Sequence, residues 1–329
     1  MTGSSGGTSQ FRMTCSPQAA KYDRGRLGGQ RGLCRPGGRL HISPVRLALA
    51  PLRPLEPLLL VERLAPLHAE LIALLRGLGP GDWHRPTACA LWSVRDITAH
   101  LLDDDLRRLS FHRDGQPPPS DAAIDGYASL VAFINRMNAE WVAVARRMSP
   151  RVLIELLDVT GPMVVDLFRS IDPHAPAHWA VAWAGETTSE HWFDVGRDYT
   201  ERWLHQQQIR DAVGAPPLAG REWLHPVLAL FVRAVPVAYR TVDRPDGTTV
   251  LLAIEGPAGG DWTLRREAGA WRLLAGRHPT PDAAVTLTDE AAWRLFSKGL
   301  TGGATRSRVR IEGDQALGEV ALGALAVMA

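Results

Sequence analysis

RDYTERWLHQQQIRDAVG, residues 197–214, sets Glu201 and His205 four residues apart in a run that ends at Gly214. On a helix, positions four apart share one face, so a carboxylate and an imidazole there can grip one ion. A second stretch, SVRDITAHLLDDDLRR (93–108), contributes His100 from a separate helix. Three protein ligands that leave a position for water or substrate are the arrangement of a reactive metal centre. Singly, each signal has an ordinary reading. Glu-x-x-x-His arises by chance on solvated helix faces, and a lone His is more often a surface or hydrogen-bonded core residue. Taken together they predict a helical protein with a metal pocket between facing helices.

Outward from this pair, the apolar spacing is mainly helical. Residues 56–76 repeat Leu at three- and four-residue steps and end at Gly77, with Gly79-Pro80-Gly81 beyond. A second helix is expected from Ser93, a natural N-cap with Asp96 three residues on, to Arg113. Helices over 122–148, 150–170 and 187–213 follow, with Pro173, Pro176 and Gly185 marking 172–186 as a loop or short strand. The expected whole is a four-helix bundle with extra pieces over 51–215. Past Pro216-Pro217 the pattern changes. A helical stretch at 221–240 precedes strand-like runs at 248–255, 261–267, 271–275, 283–288 and 308–312, with helices at 289–298 and 315–327. Residues 216–329 are therefore read as a small α+β domain.

The segment WHRPTACALWSVRDITAHLL (83–102) resembles the start of the DinB-like metal-binding domain of mycothiol-dependent maleylpyruvate isomerases. The resemblance runs from about Leu55 to Gly214. A second one, to that family's sterol-carrier-like C-terminal module, covers about Pro226 to Ala329. Ala90-Leu91 departs from the Pro-Gly common before the tryptophan. The resemblance implies a divalent metal, zinc by family usage, on His100, Glu201 and His205. It also implies mycothiol as the thiol that adds to a small unsaturated substrate, for a cis–trans isomerisation or a thiol transfer. Its partners would be that low-molecular-weight thiol and a small molecule, in a monomer or homodimer. Asp104, one turn beyond His100, is a candidate outer-shell acceptor for the second ring N–H of His100. The alternative is a non-catalytic metal-binding sensor or interaction module.

Composition agrees with a cytoplasmic protein of this kind. The chain of 329 residues carries 37 basic and 35 acidic side chains. Residues 1–50 hold eight basic residues against Asp23 alone, leaving 29 basic and 34 acidic residues in the remainder. The first fifty residues, rich in Gly, Ser, Pro and Arg, are expected to be a disordered basic extension. The mildly acidic remainder argues against nucleic-acid binding. No apolar run is long enough to cross a bilayer. Cys15, Cys34 and Cys89 are too few and scattered for a disulfide framework. Lys21 and Lys298 are the only lysines beside 35 arginines, the skew of a GC-rich, actinobacterial genome.

Among the other candidates, Cys89 reads as a packed thiol and His191 as a poor fourth ligand, about 80° off the Glu201 face at roughly 100° per residue. The tryptophans are expected in bundle packing, with Trp192 or Trp203 walling the pocket. Arg265, Arg266 and Arg294 are candidate contributors from the second domain.

Overall fold

Ser93 and Asp96 form a reciprocal capping box: the Ser93 backbone N–H donates to Asp96 Oδ2 at 3.0 Å, while Ser93 Oγ accepts from the Asp96 backbone. This start sets the rotation of the helix that carries His100. The computed structural model describes residues 51–119, 124–300 and 303–327. The expectation for residues 1–50 lies outside the described residues.

Five longer helices come first: α1 (Val61–Arg76), α2 (Val94–Arg107), α3 (Tyr127–Ala145), α4 (Pro150–Arg169) and α5 (His191–Val213). Helices α1, α2, α4 and α5 pack on one another, and α3 lies against α2. Arg146 just past α3 makes a forked pair with Asp96, tying the end of α3 to the start of α2 at 2.9 and 3.1 Å. Helix α1 begins five residues later than its leucine pattern predicts. Pro54 and Pro57 hold the preceding chain extended, and a two-residue strand β1 (Arg53–Pro54) joins a sheet edge instead. The second helix does run to Arg113, but from Arg108 onward it widens into a π-helical turn.

The loop after α5 is stapled to that helix. Gln207 Oε1 accepts from the Leu218 backbone at 2.8 Å, and Trp203 Nε1 donates to Leu218 O at 3.1 Å. Helices α6 (Arg221–Phe231) and α7 (Val235–Ala238) lead into strands β2 (Thr249–Glu255), β3 (Gly260–Glu267), β4 (Ala270–Ala275) and β5 (Ala283–Thr288). Helix α8 (Asp289–Phe296), the short α9 (Gly303–Arg306), strand β6 (Val309–Gly313) and helix α10 (Gln315–Glu319) complete the described chain. The sheet order is β1-β4-β3-β2-β5-β6, antiparallel except for β2 beside β5. The fold is therefore mainly α with an α+β part, as the sequence predicts. Strand β2 is buried over six of its seven residues, which explains its unbroken apolar run.

The last helix is shorter than its expected span of 315–327. Gly318 lies so close to β6 that a Cβ would stand 2.5 Å from Ile311 Cγ2. Gly318 and Gly323 both weaken helix propagation. The Ala326 backbone N–H then bonds to Phe296 O at 3.0 Å, which draws the chain end over α8.

Two apolar clusters hold the structure. One lies within the bundle and includes Leu71, Ile97, Leu101, Leu153, Leu157 and Ile209. The other runs from Leu64, Phe168, Tyr199 and Trp203 of the bundle to Phe231, Leu252, Trp293 and Phe296.

Candidate metal centre

Helix α5 is apolar on one side, where Tyr199 and Trp203 are wholly buried, and strongly polar on the other. On the polar side Glu201, His205 and Gln208 follow at steps of four and three, which keeps them on one stripe. That stripe faces α2 and meets His100 there. His205 Nε2 lies 3.0 Å from Glu201 Oε1, and His100 Nε2 lies 3.5 Å from the same oxygen. One ligand atom from each of the three lies within 4.8 Å of the other two. A tetrahedral ion with bonds of about 2.1 Å needs donor atoms about 3.4 Å apart, so the spacing suits a zinc-sized ion after small side-chain adjustments.

Both imidazoles are buried, with side-chain exposures of 4% and 7%, whereas the Glu201 side chain keeps 39%. The pocket therefore opens on the Glu201 side. Trp92 forms its wall, with ring centroids 4.9 Å from His100 and 6.2 Å from His205. The two imidazoles meet edge to face at 4.8 Å.

The electrostatics suit a cation. Burial opposes ionisation of Glu201, yet hydrogen bonds from His100 and His205 hold its carboxyl well below the usual range. Burial likewise opposes charge on His205, but Cys89 and Glu201 overcome it and raise the imidazole well above its ordinary value. Behind the ring, His205 Nδ1 is 2.8 Å from Gln208 Oε1, and Cys89 Sγ is 3.3 Å from the same oxygen. An amide oxygen only accepts, so Nδ1 carries hydrogen. Nε2 then faces the Glu201 carboxylate oxygen at 3.0 Å, where either a proton on the imidazole or a metal ion in its place joins the two.

Asp104 stands elsewhere than its expected outer-shell role requires. Its Oδ2 is 3.5 Å from His100 Nε2, the nitrogen that also faces Glu201, while His100 Nδ1 is buried without a hydrogen-bond partner. Asp104 thus borders the space between His100 and Glu201, with Oδ1 held by Arg107 Nη2 at 2.9 Å. The reason is rotational: a step of four along α2 puts both side chains on the face turned to α5. Trp192 stacks on Phe193 and Trp203 meets Trp293, so the wall is Trp92. His191 stands near the start of α5, its ring 6.5 Å from that of His178. Arg265 and Arg266 pair with Glu267 and Asp243. Arg294 pairs with Asp211 and Glu290 and covers the Trp293 ring.

Deeper in the bundle the same polar stripe carries a buried ion network unforeseen from the sequence. Arg108 donates to both oxygens of Asp194, at 2.7 and 3.1 Å, and to Asp198 at 3.1 Å. Arg202 joins Asp198 to Asp105, and Thr160 donates to Asp105 at 2.6 Å. Arg197 also pairs with Asp194, so three carboxylates meet three guanidinium groups. Only the density of Asp and Arg in 103–108 and 194–202 hinted at it.

The fold and site define a helical bundle with a candidate His–Glu–His metal centre, joined to an α+β part. Residues 64–210 match the family model of the mycothiol maleylpyruvate isomerase N-terminal domain. Among solved structures, the chain is similar to the crystal structure of a mycothiol-dependent maleylpyruvate isomerase, at 10% identity over 77% of this chain and 91% of that one, with a TM-score of 0.48. A histidine-to-alanine mutant of a mycothiol-dependent maleylpyruvate isomerase matches at the same identity and coverage with a TM-score of 0.47. A stereoselective inverting sec-alkylsulfatase from Pseudomonas matches at 13% identity over 70% of this chain and 44% of that one, with a TM-score of 0.20. No curated protein matches the chain. No helix among the described residues is long and apolar enough to cross a membrane.

Proposed function

We propose that this chain binds a divalent metal through His100, Glu201 and His205 and acts as a mycothiol-dependent isomerase or thiol transferase on a small unsaturated molecule in the cytoplasm. The carrying observation is the convergence of three acceptor atoms on one position beside a half-exposed carboxylate. Two imidazoles and one carboxylate suit zinc and its borderline neighbours. A bound ion of this kind polarises a carbonyl or lowers the pKa of a thiol, so that a thiolate exists at neutral pH. The chain's own residues supply the rest. Trp92 covers the two imidazoles and keeps water from that side. Glu201 borders the open approach. Asp104, anchored by Arg107, stands beside His100 Nε2, where it is placed to take a proton from an entering thiol. Residues 51–215 are assigned to metal binding and 216–329 to an accessory α+β part.

A non-catalytic metal sensor or interaction module is the second reading, favoured by the engagement of Arg265, Arg266 and Arg294 in other ion pairs. Elemental analysis and thiol-dependent turnover of wild type, His205→Ala and Asp104→Asn separate these readings. His205→Ala is expected to lose metal and activity together. Asp104→Asn is expected to keep the ion while turning over more slowly. Full metal occupancy in His205→Ala would refute the site, and metal uptake without thiol binding or turnover would select the sensor reading.

A further inference from the structure

Two donors converge on one oxygen behind the candidate centre. Gln208 Oε1 lies 2.8 Å from His205 Nδ1 and 3.3 Å from Cys89 Sγ. Gln208 itself is buried, at 8% exposure, and lies on the stripe of α5 that bears Glu201 and His205. With the Gln208 oxygen on this side, both the imidazole and the thiol act as donors to it. Neutral imidazole has one hydrogen and one lone pair. An acceptor fixed behind Nδ1 therefore leaves the lone pair on Nε2, the atom that faces Glu201 Oε1. His100 differs, because its buried Nδ1 has no hydrogen-bond partner and its ring packs against Trp92.

We infer that Gln208 is the positioning residue of this centre: its side-chain oxygen holds hydrogen on His205 Nδ1 and so presents Nε2 to the ion. The inference rests on the metal reading above and adds an asymmetry to it. His205 is oriented before the ion arrives, whereas His100 depends on packing. An outer-shell acceptor of this type typically contributes about 10–100-fold in metal affinity.

The test compares wild type, Gln208→Leu and Gln208→Glu. Leucine is close in size and removes the acceptor; glutamate restores an acceptor at the same place. Zinc affinity is read by competition with a chromophoric chelator. The imidazole hydrogens of the metal-free protein are read by long-range proton–nitrogen NMR, and circular dichroism checks that each variant is folded. Gln208→Leu is expected to bind zinc about 10–100-fold more weakly and to lose the slowly exchanging Nδ1 hydrogen of His205, with both recovered in Gln208→Glu. A folded Gln208→Leu protein with wild-type affinity and an unchanged Nδ1 hydrogen would overturn the assignment. Weakened binding in the glutamate variant equal to that in the leucine variant would also overturn it, because side-chain packing rather than the acceptor would then be responsible. Failure of wild type to take up zinc would refute the metal reading, while the Nδ1 hydrogen of the metal-free proteins would still decide the role of Gln208.

Discussion

Replacing Arg108 by Met is expected to destabilise the protein by about 3–5 kcal/mol at neutral pH, the usual cost of leaving buried charges without their partner. Arg108 is 7% exposed, and Asp194 and Asp198 are 0% and 5% exposed. Its guanidinium makes three hydrogen bonds to these carboxylates. Without it, Asp194 retains Arg197, its neighbour about one turn along α5, and Asp198 retains Arg202. A methionine fills similar volume, so the loss reports charge more than cavity. The unfolding constant rises by about two to four orders of magnitude at 1.4 kcal/mol per decade. The pH dependence has a definite sign. Burial alone would raise the Asp194 pKa, but Arg108 and Arg197 hold it far below its ordinary value of 3.8. A depressed carboxyl contributes stability above its unfolded pKa and loses it as pH falls through the folded one. The gap between wild type and Arg108→Met should therefore be full at pH 7 and narrow below about pH 4, as the variant's freed carboxylates take up protons. Urea unfolding followed by tryptophan fluorescence at several pH values measures this. Adding Asp194→Asn to the variant should recover part of the loss. A loss under 1 kcal/mol at pH 7, or one that stays the same as pH falls from 7 to about 3, would refute the view that this network is a tightly coupled charge cluster.

Three further outcomes are expected. Gly161→Ala should cost about 1–3 kcal/mol by overpacking, because a Cβ there would stand 2.2 Å from His68 Cε1; adding His68→Ala should relieve the clash, and additive losses in thermal melts would contradict this. Asp103 is pushed up to about 6 by burial despite its 2.9 Å contact with Arg107. Its ionised form is thus the disfavoured one, and wild type loses stability as pH rises through 6. Asp103→Asn should match wild type below about pH 4 and exceed it by up to about 3 kcal/mol above pH 7, and equal stabilities at pH 8 would count against the burial effect. Zinc at about 100 times its Kd should stabilise the protein by about 2.7 kcal/mol through mass action; a thermal midpoint indifferent to zinc and chelator would exclude binding to the folded state alone.

Local chemistry determined much of this protein before any tertiary contact is considered. Ser93 with Asp96 predicts where α2 begins, and Gly214, with φ at +71°, ends α5 as its sequence requires. The four-residue step from Glu201 to His205 puts both on one face whatever the helix packs against. Alternation and glycine-rich turns mark most of the strands. Tertiary structure decided the rest, because helix rotation and long-range contact are not encoded by spacing alone. Trp92 reached the imidazoles through the turn ahead of α2, and Cys89 came from that same turn to share the Gln208 oxygen with His205. Asp104 turned toward the same nitrogen of His100 that faces Glu201 because α2 presents that face to α5. The Arg108–Asp194–Asp198–Arg202–Asp105 network joins positions up to 97 residues apart. Each of its members, read singly, is an ordinary helix-surface charge. Burial between packed helices makes them a network, since desolvated charges must find partners that only the assembled bundle provides.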